Sequence, residues 1–155
     1  MFAKVHGTNF DVTHQTPIRA NCPVVNVLFG GYKVRAIVDT GSTTTIISRG
    51  LLECMPDVLS KLQATSFTFK GVGGDSRQYA GILPKVQLSL TDKLNVNINI
   101  AVTPTSDKYL LIGNDVIGGN YSLLTKVAES DPLGFFVLQD ETGIHDIVQF
   151  LRNRE

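Results

Sequence analysis

Two cysteines, three histidines and no net charge close off several routes to function in this 155-residue sequence. Cys22 and Cys54 are too few and too irregularly placed for a disulfide framework or a metal-ligand cluster. His6, His14 and His145 are scattered, with no acid or cysteine at ligand spacing, so no metal and no cofactor is expected. Lys and Arg number 14 and Asp and Glu number 14, which leaves no basic field to draw nucleic acid and no acidic, solvating tail. No apolar run approaches the ~18–20 residues that cross a bilayer, so no membrane partner is expected. The start, Met1-Phe2-Ala3-Lys4-Val5-His6, has no secretory apolar core. Together with the sparse cysteines this points to a reducing, intracellular setting. The glycines at 71–74 are not followed by Gly-Lys-Ser/Thr, which argues against phosphate cradling, and no Gly-x-Ser-x-Gly elbow surrounds Ser42 to make it a nucleophile.

What the sequence does have is a 43% apolar composition in a length typical of one domain, arranged in short β-rich runs. Val24–Phe29 and Tyr32–Val38 flank Gly30-Gly31, a dipeptide that accepts positive φ at both central turn positions, and predict a hairpin. The β-branched run Thr43–Ile47 predicts a return strand. Apolar residues at Leu51, Leu52, Met55, Val58, Leu59 and Leu62 have helical spacing broken by Pro56. Thr65–Val72 and Gln78–Leu83 predict a second hairpin with a small-residue tip. Lys85–Leu90 and Leu94–Ile100 alternate as half-buried strands, the latter with asparagine outward. Tyr109–Ile112 predicts a buried strand with a helical turn at Asn114–Ile117. Gly134–Leu138 predicts a further strand, and Ile144–Leu151 fits strand or helix equally. Residues 1–22, with Thr16-Pro17 and Cys22-Pro23, are expected to form a loosely held arm. Many short strands, Gly-rich turns and little helix favour an all-β fold, a closed or nearly closed barrel, over a doubly wound sheet. Asp140-Glu141-Thr142-Gly143 has one residue too many to repeat the tripeptide Asp39-Thr40-Gly41.

That tripeptide sits where a β-rich run ends. Peptide hydrolysis by paired carboxylates needs two acids close enough to share a proton, one acting as base toward water and the other as acid toward the carbonyl. One carboxylate per subunit, meeting at a two-fold axis, meets that need. A threonine hydroxyl can bond across to the partner's loop, and a glycine lets the backbone turn sharply beneath the acids. An ordinary strand-end Asx turn is the bland alternative for Asp39.

Three elements in order resemble the retropepsins, the protease domains of retroviruses and LTR retrotransposons with their cellular relatives. They are Ala36-Ile37-Val38-Asp39-Thr40-Gly41-Ser42, the glycines at 71–74, and Leu110-Leu111-Ile112-Gly113-Asn114-Asp115. The resemblance implies a barrel of the single-lobe acid-protease type with a flap hairpin and one or two short helices. It implies catalysis by Asp39 with Thr40 and Gly41. It also implies a substrate cleft lined by Ser42, Thr43, Thr44 and Ile46, flap backbone at Val72, Gly73 and Gly74 bonding the substrate, and an apolar subsite wall at Leu111. Thr43 and Asn114 stand where retroviral enzymes carry an acid and an arginine, so that ion pair is missing and Gly113-Asn114-Asp115 is closer to the retrotransposon form.

The expected organisation is an arm over residues 1–22, a protease core over 23–118, and a C-terminal extension over 119–155 that belongs to the same domain and its dimer interface. The expected function is an aspartic endopeptidase, active as a homodimer on an extended peptide or a viral or retroelement polyprotein, cytoplasmic or within a virus-like particle. The alternatives are a cellular retropepsin-like protease with conditional activity and a dimeric peptide-binding module without turnover.

Overall fold

A computed structural model describes residues 11–16, 23–39, 41–70, 76–118, 121–127, 133–140 and 142–151. Its first hairpin pairs β1 (Val24–Phe29) with β2 (Tyr32–Val38) from Val24↔Ile37 to Phe29↔Tyr32. Gly30 and Gly31 turn it at φ of 58° and 92°, the left-handed region that the sequence anticipated. Period-two alternation then sends Val25, Val27 and Phe29 from β1, and Tyr32, Val34, Ala36 and Val38 from β2, into one buried core.

The remaining elements are β3 (Ile46–Ser48), α1 (Arg49–Leu52), α2 (Pro56–Leu59), β4 (Gln63–Lys70), β5 (Ser76–Ser89) and β6 (Asn95–Thr103). They are followed by β7 (Leu110–Ile112), α3 (Asn114–Ile117), β8 (Tyr121–Val127), β9 (Leu133–Asp140) and β10 (His145–Leu151). The strands lie in the order β4-β5-β6-β3-β7-β2-β1-β10-β9-β8, and a second pairing of β5 with β1 at Leu28↔Ser89 and Phe29↔Leu88 closes the run from β5 to β1 into a barrel. The expected all-β barrel is thus present and closed. Two of its contacts are parallel, β2 with β7 and β3 with β6. Phe29, Ile47, Leu51, Leu52, Met55, Leu83, Leu88, Leu94, Ile100, Leu110 and Ile112 are fully buried in its interior. Each such side chain contributes about 1.5–3 kcal/mol of burial.

The helical spacing from Leu51 resolves into two single turns. Ser48, fully buried, caps α1 by accepting the Leu51 N–H at 3.2 Å, and Pro56 opens α2, where a missing N–H costs nothing. Four expectations need correction. The return strand is only Ile46–Ser48, because the threonine run before it is held in a loop. Gln78–Leu83 and Lys85–Leu90 are one strand, not two: β5 passes Pro84 through an irregularity between Leu83 and Val86, with Lys85 at φ 50° and its N–H bonded to the Asn99 side chain at 3.0 Å. Tyr121–Val127, given no structure from sequence, is a strand. Finally, part of the arm is held: Asp11 bridges to Lys33, Thr13–Gln15 form a 3-10 turn, and Val12 and Thr16 are buried. The ambiguous segment from Ile144 is strand, as β10.

Candidate active site

Asp39 continues the path of β2 beyond its last pair. Its N–H donates to the Ile112 carbonyl at 2.9 Å, extending the parallel β2–β7 contact by one step. Its carbonyl then accepts the Ser42 N–H at 3.1 Å, and its Oδ1 accepts the Gly41 N–H at 2.9 Å. The chain therefore reverses within four residues and holds the half-buried Asp39 carboxylate at the turn. A Cβ on Gly41 would lie 3.1 Å from that Oδ1, so a larger residue would crowd the carboxylate.

The loop rests on the start of α3. The Asn114 N–H donates to the Ser42 carbonyl at 2.7 Å, and the Ser42 hydroxyl donates to the Thr44 carbonyl at 2.8 Å. Gly113 passes so closely beneath that a Cβ there would meet the Thr44 carbonyl oxygen at 2.6 Å and that of Ser42 at 2.8 Å. Here glycine is demanded by contact rather than by φ. The central fastening is Asp115: its Oδ2 accepts the Thr45 N–H at 3.0 Å, and its Oδ1 accepts the Thr45 hydroxyl proton at 2.6 Å. The Thr45 oxygen in turn accepts the Gly113 N–H at 3.1 Å, and Thr45 is completely buried. One carboxylate and one hydroxyl thus satisfy three donors, the Thr45 N–H, the Thr45 hydroxyl and the Gly113 N–H, and lock the loop to the α3 turn. Sequence reasoning quoted Asp115 within a motif but gave neither it nor Thr45 a role. The available signal was an acid three residues past the buried apolar run.

Of the residues expected at the site, the structure brings Asp39, Gly41, Ser42, Thr43 and Thr44 into this one loop, with Leu111 half-buried on the adjoining strand. Ile46 is 2% exposed and packs with Tyr79 and Ala101, against which Tyr109 also lies. Thr40, Val72, Gly73 and Gly74 lie outside the described residues. Tyr109 adds a polar contact of 2.9 Å between its hydroxyl and that of Thr103. Among the described residues no group of three or more His, Cys, Asp or Glu side chains could hold a metal ion, and no helix is long and apolar enough to cross a membrane. A surface pocket of about 310 Å³ opens elsewhere, by the β1–β5 seam, with Leu28, Lys33, Leu90 and Asp92 in its lining; it shares no residue with the Asp39 loop.

A closed barrel with an Asp-Thr-Gly turn fastened to an apolar-Gly-Asn-Asp turn defines the retropepsin-like aspartyl protease class. The family model for gag-polyprotein putative aspartyl proteases matches residues 25–118, more than half of the sequence, and the chain belongs to that family. Among solved structures, the fold is similar to the retroviral protease-like domain of Ddi1 from Leishmania major, with a TM-score of 0.57 at 15% identity over 88% of this chain and 99% of that one. Comparison with curated proteins returns no match.

Proposed function

We propose that the protein is an aspartic endopeptidase that works as a homodimer, each subunit contributing Asp39. The observation that carries this reading is the Asp39 carboxylate itself, held by the Gly41 N–H in a loop fastened to the Gly113–Asp115 turn. Of the two facing Asp39 groups, the ionised one takes a proton from water as the water oxygen attacks the scissile carbonyl carbon. The protonated one gives its proton to the carbonyl oxygen. The resulting gem-diol collapses with proton transfer to nitrogen, breaking the C–N bond and releasing an acid and an amine. Thr40 and Gly41 shape the turn. Ser42, Thr43, Thr44 and Leu111 line the cleft, and Ile46 supports its floor from beneath. The hairpin between β4 and β5 serves as the flap, with backbone at Val72, Gly73 and Gly74 pairing to an extended substrate as an added strand.

The substrate is an extended peptide with apolar residues at the cut, within a retroelement or viral polyprotein. The family's own description as gag-polyprotein proteases supports that choice. A cellular, conditionally active protease is the second reading, favoured by the fold likeness to the Ddi1 domain. Capsid or reverse-transcriptase sequence flanking this domain in its parent gene favours the first, and its absence the second.

The test is cleavage of a mixed peptide library at mildly acidic pH across protein concentration, with wild type, Asp39→Asn and a pepstatin-type inhibitor side by side. Activity rising faster than linearly with concentration, and lost in both controls, is expected. Binding of extended peptides by wild type and Asp39→Asn alike, with no cleavage by a verified dimer, would overturn the enzyme reading in favour of a peptide-binding module. Since one proton is shared, the rate should fall on both the acid and alkaline sides of its maximum; a profile flat into strongly alkaline pH would contradict the mechanism.

A further inference from the structure

The two edges of β1 are used differently. One pairs with β2 from end to end, and the Val38 N–H donating to the Pro23 carbonyl at 2.9 Å shows that the odd-numbered residues turn their backbone groups that way. The other edge belongs to the even-numbered residues. Val24 pairs there with Leu151 of β10, Leu28 pairs with Ser89 of β5, and the Gly30 N–H donates to the Gln87 carbonyl at 3.0 Å. Between these contacts stands Asn26, exposed, its N–H and carbonyl facing the same edge with no backbone partner there among the described residues. The pocket of about 310 Å³ opens at this gap: Asn26, Val27 and Leu28 form one wall, and Leu90 and Asp92, where the chain leaves β5, form part of the other. Leu28 is 46% exposed. The two charged residues of the lining are not equivalent. Lys33 lies beside Asp11, which bridges to it and is stabilised by its charge. Asp92 is exposed and forms no ion pair among the described residues, and Lys93 after it is outside the lining. The uncompensated charge of the pocket is therefore negative.

We propose that this gap is a docking site for an extended peptide of a partner protein, one residue of which pairs with the Asn26 N–H and carbonyl and lays an apolar side chain on Leu28 and Leu90, while a basic residue two positions away meets Asp92. Each part of that description has its own source. A donor and an acceptor presented together on a strand edge match a peptide in β-conformation. The volume is at the small end of the ~300–1,000 Å³ range of ligand sites, which suits one apolar side chain rather than a folded surface. The free carboxylate calls for a cation, and residues two apart in an extended chain share a face, which sets the spacing. Nothing is required of Asp39, because the pocket shares no residue with its loop, so the site stands whether or not the chain cleaves peptides.

The test is an amide NMR titration of the Asp39→Asn protein, in which no cleavage intervenes, with the blocked peptide Thr-Lys-Thr-Leu-Thr-Lys-Thr, whose lysines flank the leucine so that either chain direction satisfies Asp92. Saturable shifts centred on Asn26, Leu28 and Asp92 are expected. Methylating the leucine nitrogen removes the donor to the Asn26 carbonyl and should raise Kd about tenfold. Replacing both lysines by glutamate should weaken binding by a similar factor, and Asp92→Asn in the protein should raise Kd for the lysine peptide about two- to fivefold. Equal affinity for the methylated peptide would overturn the strand pairing, and equal affinity for the lysine and glutamate peptides would overturn the role of Asp92. Shifts confined to the Gly41–Thr44 loop, or none at millimolar peptide, would overturn the site as a whole. Binding that emerges only when residues 1–10 are deleted would assign the gap to this chain's own arm and overturn the partner.

Discussion

Asp115→Ala should destabilise the protein without touching the candidate catalytic carboxylate. The substitution removes the acceptor of the Thr45 N–H and of the Thr45 hydroxyl, 3.0 and 2.6 Å away, while Thr45 stays fully buried. A buried donor left without an acceptor costs about 1–3 kcal/mol. Because Asp115 is itself half-buried, water entering the vacated space recovers part of this, giving a loss of about 2–4 kcal/mol from these two bonds. For a domain of this size that corresponds to a fall in Tm of roughly 5–15 °C. Asp115→Asn keeps one carbonyl acceptor and should lose about half as much. Urea unfolding at fixed protein concentration, with unchanged m-values, is the assay. Thr45→Val completes a double-mutant cycle: with the clasp already broken, the second substitution should cost about 1–3 kcal/mol less than it does alone. Asp115→Ala within about 0.5 kcal/mol of wild type, or strictly additive single substitutions, would refute the clasp.

Gly113→Ala should be more damaging than its single methyl suggests, since the Cβ would lie 2.6 Å from the Thr44 carbonyl oxygen; the expected outcome is a loss above about 3 kcal/mol in urea unfolding, and a near-neutral result would place the loop further from the α3 turn. Ser48→Ala removes the cap of α1 and an acceptor for the Tyr109 N–H at 3.0 Å, so about 2–3 kcal/mol should be lost, whereas a loss below about 0.5 kcal/mol would contradict both bonds. The Thr13 hydroxyl and then the Thr13 N–H hold the Asp11 carboxyl below its ordinary 3.8, against a small opposing effect of burial and with help from Lys33. A lowered value means that the ionised form is favoured by folding: its small contribution is present above the ordinary value and lost as pH falls through the folded one. Carboxyl NMR titration should show Asp11 below 3.8 in wild type and back toward it in Thr13→Ala; a wild-type value at or above 3.8 would contradict the capped turn.

Local patterns carried the fold as far as local patterns can. Gly30-Gly31 announces its turn because only glycine accepts both φ values easily, and the alternation of Leu94–Ile100 marks a strand with one face in the core. β8 escaped because Leu123 and Leu124 are adjacent and a register shift between Leu123 and Thr125 breaks the period-two pattern. The two runs on either side of Pro84 are one strand, β5, because a bulge can carry a strand past a residue that lacks an N–H. The threonine run misled. Thr43 to Thr45 have strand propensity, yet Thr44 and Thr45 spend backbone groups on Ser42, Ala101 and Asp115, leaving only Ile46–Ser48 to pair.

The site was legible only in part for a related reason. The Asp39 loop and the Asp115 turn are separated by most of the barrel in sequence, and they meet because β2 and β7 are parallel neighbours, a contact that requires a crossover and leaves no local trace. The resemblance to retropepsins supplied the order of the motifs but not the bonds between them. Those bonds explain why the second motif has its form. Gly113 allows the approach, the Asn114 backbone meets Ser42, and Asp115 fastens Thr45, so three consecutive residues each perform a separate task on one loop. None of these tasks needs the arginine that retroviral enzymes carry at the Asn114 position, because the carboxylate of Asp115 reaches the loop directly. A position for the candidate acid is therefore built from backbone contact, the Asp115 carboxylate and one buried hydroxyl, while the side chain of Asn114 stays exposed.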